Sequence, residues 1–138
     1  MRRAATLLSV LSLAATSASA ESPRIDYMLQ CQGCHRADGS GSPGSVPRLD
    51  GQMGRFLGVS GGREYLIRVP GSAQSPLDDA ALAAVLNWMI REFGPAETSR
   101  ALAPFTAEEV AQHRHPPLTD VEVVRAKLLE RLSRGSRR

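Results

Sequence analysis

Cysteine is almost missing from this chain: of 138 residues, only Cys31 and Cys34 carry a thiol. No other cysteine competes with these two for their role. Aromatics are scarce as well, with two Tyr, three Phe and one Trp, which is thin for the core of a single small domain. No apolar run is long enough to cross a bilayer, since the stretch from Ala4 to Ala15 falls well short of the roughly 20 residues that a span needs. A real excess of charge is also lacking. The formal charge of +3 includes Arg2 and Arg3. Without them the 17 basic side chains become 15 against 14 acidic ones, a net of +1, and nothing suggests a nucleic-acid partner. No acid–base pair of the kind a catalytic site uses is evident either.

The first twenty residues account for the apolar run. Met1-Arg2-Arg3 is a short basic start, Leu7, Leu8, Val10, Leu11 and Leu13 form the apolar centre, and Ala18-Ser19-Ala20 fits the small-x-small cleavage rule. This pattern predicts a secretory signal peptide at 1–20, cut after Ala20, leaving a mature chain of 118 residues that is expected to be soluble and periplasmic. N-terminal sequencing of the exported protein checks this, and Glu21 is the expected first residue.

The remaining chain is organised around Cys31-Gln32-Gly33-Cys34-His35. A C-x-x-C-H run reads as the attachment site of a c-type haem. The two thiols reach vinyl groups on neighbouring pyrroles, and the next residue carries its imidazole under the ring to bind iron. Other chemistries use similar residues. A zinc site needs a fourth ligand that this run does not supply. A thioredoxin-like pair expects a preceding strand in a βαβ setting. A plain disulfide is compatible with export. Haem accounts for more of the chain than these do. Its porphyrin would supply the apolar surface that the scarce aromatics do not, and its two propionates would offset the residual positive charge.

Taken in order, Ser22-Pro23 reads as an N-cap with proline at the first helical position. Ile25, Met28, Leu29 and Gln32 follow at helical spacing, and Tyr27 lies one turn before Cys31 on the same face. Residues 37–47 are rich in Gly, Ser and Pro and read as a flexible loop. Backbone that passes close to a ring and its ligand also excludes large side chains. Within this loop Pro47 is the candidate whose carbonyl accepts the Nδ1–H of His35; an ordinary turn proline is the competing reading. A short helix begins near Gln52, and 64–69 is too short for periodicity to decide. Asp78 caps a helix over 80–93 with Leu82, Val85, Leu86, Met89 and Ile90 on one face, and Gly94-Pro95 stops it. Thr106-Ala-Glu-Glu109 and Thr119-Asp-Val-Glu122 match the capping box. The second opens an amphipathic helix with Val121, Val124, Leu128, Leu129 and Leu132 on one stripe. The basic end (Arg131, Arg134, Arg137, Arg138) reads as a solvated terminus or as a dock for an acidic partner.

Residues 22 to 94 together resemble a class I monohaem c-type cytochrome. The matching features are Tyr27-x3-Cys31-x2-Cys34-His35, Ala37-Asp38-Gly39, Pro47-x-Leu49-x-Gly51-Gln52, and Asp78-Asp79 leading to Leu82 and Trp88. The resemblance implies an all-α, cytochrome c-like haem domain over 21–95, with 96–138 as a C-terminal helical extension. It implies one covalent haem c, with Cys31, Cys34, His35 and Pro47 as cofactor-binding residues and His35 on the iron. It also implies that Trp88 packs on the first helix beside Tyr27. The chain departs from the family at one point. The family carries a methionine just before its last helix, whereas Pro70-Gly-Ser-Ala-Gln-Ser-Pro76 has no Met, His or Lys.

The resulting expectation is a periplasmic carrier of single electrons, not an enzyme, that exchanges with a redox protein such as a dehydrogenase, an oxidase or another cytochrome. The alternatives are a haem subunit of a periplasmic oxidoreductase, motivated by the tail, and a haem-based binder of small ligands, motivated by the missing methionine. Candidates for the sixth iron ligand are Met53, Met89, His113 and His115, with Met28 read as core. The expectation is that no residue in 70–76 ligates iron and that the sixth position is weakly held or open.

Overall fold

The computed structural model describes residues 22–95 and 103–135; the leader expected at 1–20 and the terminal Arg137 and Arg138 lie outside them. The described residues form eight helices and no strand: α1 Pro23–Gln30, α2 Gln32–His35, α3 Met53–Phe56, α4 Gly62–Arg68, α5 Pro70–Ala73, α6 Asp79–Phe93, α7 Ala107–His113 and α8 Val121–Gly135. This is the expected all-α class.

The longest core helix forms as its spacing predicts. The Asp78 carboxylate accepts the Ala81 N–H at 2.7 Å and caps α6. Leu82, Val85, Leu86, Met89, Ile90 and Phe93 are all buried on its inner face, and α6 packs against α1, α3 and α7. The undecided segment at 64–69 is helical, as α4. The segment after it opens with one helical turn, α5, with Pro70 in its first turn.

The first helix meets α6 through Tyr27, which is 1% exposed. Its ring lies 5.1 Å from Trp88 and 5.2 Å from Phe93, in the tilted geometry that aromatic pairs prefer. The match between Tyr27 and Trp88 therefore holds, although Trp88 is only partly buried and packs at the rim of the core. The apolar spacing of α1 points elsewhere. Ile25, Met28 and Leu29 are exposed, so Met28 is not a core residue. A helix of eight residues held by one inward tyrosine leaves its other apolar side chains in water.

The tail packs on the core. Phe105, Val110 and Leu128 are buried in the same cluster as α6, and Val121, Val124, Leu129 and Leu132 pack against it. The apolar stripe of α8 is thus covered by this chain itself. Asn87, Arg63 and Arg114 are among the polar side chains that dock the tail. The Asn87 side chain bonds both the N–H and the carbonyl of Phe105, at 2.8 and 2.9 Å. Arg63 donates two bonds of 2.6 Å to Glu109 and lies 4.1 Å over the Phe105 ring. Arg114 is 8% exposed and donates to the carbonyls of Ala73, Ser75 and Leu77 and to Asp79, at 2.6–3.0 Å.

Of the two capping boxes, only the first forms at its threonine: Thr106 Oγ1 accepts from the Glu109 N–H at 3.2 Å. The second helix starts one residue later than its box requires. The Asp120 carbonyl receives the Val124 N–H, and Thr119 turns its hydroxyl to Asp120 instead. Near the basic end, Arg131 donates to the Ser60 carbonyl and Arg134 pairs with Glu130.

Truncating Trp88 to Ala is expected to cost about 2–3 kcal/mol in denaturant unfolding of the haem-loaded protein, less than a fully buried Trp because one edge is wet. A loss below about 1 kcal/mol would show that its contact with Tyr27 contributes little. Arg114→Ala leaves three carbonyls without their donor and should cost roughly 3 kcal/mol in the same assay.

Candidate functional site

The site grows from the end of α1. The Cys31 N–H closes the last turn on the Tyr27 carbonyl, and the His35 N–H then bonds the Cys31 carbonyl at 3.0 Å, so α2 holds Cys31, Cys34 and His35 on one short turn. Tyr27 fixes the exit of this turn by donating its hydroxyl to the Arg36 carbonyl at 2.5 Å. Burial, then the nearby Cys31 and Asp38, push its phenol up to about 12, so it stays a donor across physiological pH.

The Gly-Ser-Pro segment is wound around His35 by backbone bonds and is not a loose loop. The Gly41 N–H bonds the His35 carbonyl, Ser42 and Val46 bond each other at 2.9 and 3.0 Å, and the Leu49 N–H bonds the Gly39 carbonyl at 2.7 Å. These bonds bring the Pro47 carbonyl to 3.1 Å from His35 Nδ1. A carbonyl can only accept, so Nδ1 carries the proton and Nε2 keeps its lone pair. Glycine is required at two places here. A Cβ on Gly41, at φ +66°, would stand 2.8 Å from the Pro47 oxygen, and one on Gly39, at φ +69°, would enter the Phe93 ring at 2.8 Å. Burial lowers the pKa of His35 below the ordinary imidazole value, and the Pro47 bond opposes that shift. Its imidazole is therefore neutral at pH 7, the form that binds a metal.

Cys31, Cys34, His35 and Pro47 share the wall of one open cleft. Its floor is aliphatic and aromatic, with Leu82, Val85, Leu86 and Met89 from α6, Met53 and Phe56 from α3, and Tyr65 and Leu66 from α4. No carboxylate lines it, and its charged side chains are Arg48 and Arg125. An apolar cleft edged by Arg125 and by Arg48, which pairs with Asp50 at 2.7 Å, fits a flat, largely apolar group with acidic substituents, and haem is one. The two thiols are unlinked. Burial, and then Asp26 and Cys34, raise the Cys31 thiol to about 11, opposite to the depressed thiol of a redox-active pair. Among the described residues no three His, Cys, Asp or Glu side chains converge to hold a metal.

Of the further iron-ligand candidates, Met53 and Met89 reach the cleft, whereas His113 and His115 are not among its lining residues and His115 is exposed. Sequence reasoning missed Val121 and Arg125, which bring the tail to the cleft wall. Their i,i+4 spacing on α8 puts them on one face, and an arginine that interrupts an apolar stripe was the available signal. It also missed Arg114.

No family model matches the chain. Two curated relatives do. Cytochrome c-552 of Thermus thermophilus and the cytochrome c-552 of one particular strain of that organism are each 38% identical to it over 113 positions, a match covering 69% of this chain and 86% and 76% of the relatives. Since 69% of 138 residues is about 95, roughly 18 of the 113 positions are residues that this chain lacks. The identity, the coverage and the all-α architecture together place the chain in the class I monohaem c-type cytochromes, proteins that carry covalent haem c and act in electron transfer.

Proposed function

We propose that this protein is a periplasmic carrier of single electrons, not an enzyme, and that Cys31 and Cys34 hold its haem through thioethers while His35 Nε2 binds the iron. In this reading residues 1–20 direct export, 21–95 form the haem domain and 96–138 form the helical extension. The convergence of Cys31, Cys34, His35 and the Pro47 carbonyl on one apolar cleft carries the proposal.

Each group has a physical task. Bound haem supplies a one-electron couple between ferrous and ferric iron. His35 donates from a nitrogen whose tautomer the Pro47 carbonyl fixes, and Gly41 leaves that carbonyl room to approach. The aliphatic floor keeps water from the ring and lowers the dielectric around it. Arg125, and Arg48 with its ion-pair partner Asp50, are the cations on the cleft wall that would meet the carboxylates of the cofactor. Cys34 is exposed, so the thioether corner opens to solvent and gives the electron a short path to a partner. The exposed Ile25, Met28 and Leu29 on the preceding helix lie beside that corner and suit a transient apolar contact with another redox protein.

Potentiometric titration followed by visible absorption tests this reading. One reversible one-electron transition per chain is expected, and its absence would overturn the proposal. Arg125→Gln should lower the midpoint potential relative to the natural chain. A positive charge beside the ring favours the ferrous state, which carries one positive charge fewer than the ferric.

A further inference from the structure

We propose that this chain supplies no sixth ligand to its iron, and that the vacant position takes a small π-acceptor molecule of the carbon monoxide or nitric oxide kind. The inference rests on the haem assignment above. The family carries its methionine just before the last core helix. Here the link from α4 to α6, Val69 to Asp78, is ten residues long and holds no Met, His or Lys. The matched span as a whole is about 18 residues shorter than in the relatives.

This link is also held in place. The buried Arg114 guanidinium bonds the carbonyls of Ala73, Ser75 and Leu77, and the Ser75 hydroxyl bonds the Ser72 carbonyl at 2.9 Å. The link lines the cleft through Val69, Gly71, Ser72, Ser75 and Leu77. Four of these five are small or short side chains, so a two-atom ligand has room while none of the five can bind iron strongly.

Other parts of the chain do not replace the missing ligand. His113 and His115 flank Arg114. Neither imidazole is among the side chains that line the cleft. Met53 and Met89 do line it, but each is tied to the wall that carries His35. The Met53 N–H bonds the Leu49 carbonyl, two residues after Pro47. Met89 lies on α6, which packs against the helix that leads into the Cys31–His35 turn. Both thioethers are packed in the core, at 2% and 6% exposure.

The test uses the mature, haem-loaded protein. The ferric and ferrous forms should show high-spin, five-coordinate or water-ligated spectra, and the ferrous form should bind one carbon monoxide per haem. Met53→Leu and Met89→Leu should leave both observations unchanged. If either variant fails to fold, carbon monoxide binding by the natural chain decides the matter alone. The proposal is overturned by refusal of carbon monoxide together with a low-spin spectrum. A sulfur-to-iron band lost in one Met variant would then identify that methionine, and a bis-imidazole spectrum lost in His113→Ala or His115→Ala would identify the tail. Covalent haem that refuses carbon monoxide defeats this inference and leaves the electron-carrier reading standing, whereas absence of haem defeats both.

Discussion

The hydrogen bond from His35 Nδ1 to the Pro47 carbonyl, 3.1 Å long, sets the terms for the surrounding chain. To deliver that oxygen, residues 37–47 must return to His35 within a short path, and they do so by bonding to His35 and Gly39 and across Ser42 and Val46. The return leaves no space for a side chain at Gly41 or Gly39. Tyr27 then has to seal the other side of the turn through Arg36, and α6 must present Trp88 and Phe93 to receive Tyr27. One fixed imidazole thus organises a loop, a helix crossing and an aromatic cluster.

The second constraint is the shortage of core material. All six aromatics of the chain sit in or against the core cluster, yet the cleft beside them stays open. Its apolar floor makes physical sense when an apolar group covers it. The tail answers part of the same shortage. Phe105, Val110 and Leu128 add to the core, while Arg63, Asn87 and Arg114 satisfy backbone groups where the tail crosses it. Val121 and Arg125 carry the tail on to the cleft wall. The helices beyond residue 103 are part of the haem-side architecture.

Much of this was legible in the sequence because the chemistry demands adjacency. The Cys31-x-x-Cys34-His35 run, the Asp78 cap and the stripe of α6 are local patterns that can be read from adjacent residues alone. Pro47 was legible as a candidate because a histidine ligand needs an acceptor, and the structure places its carbonyl at hydrogen-bond distance. Long-range geometry was not legible. Arg114 pairs with carbonyls some forty residues away, and backbone acceptors carry no sequence signature. Only packing shows that Arg125 lines the cleft. The face of α1 was misread because spacing alone does not say which side of a short helix finds a neighbour. Tyr27 found one, and Met28 did not. Thr119 was misread because Asp120 beside it makes an equally good start to α8.

The most direct test of the account is the intact mass of the mature chain from a host that attaches haem, followed by fragment mapping of the peptide that contains residues 31–36. The account predicts one haem per chain, joined through both Cys31 and Cys34. An unmodified mass, or haem carried on any other residue, would contradict it.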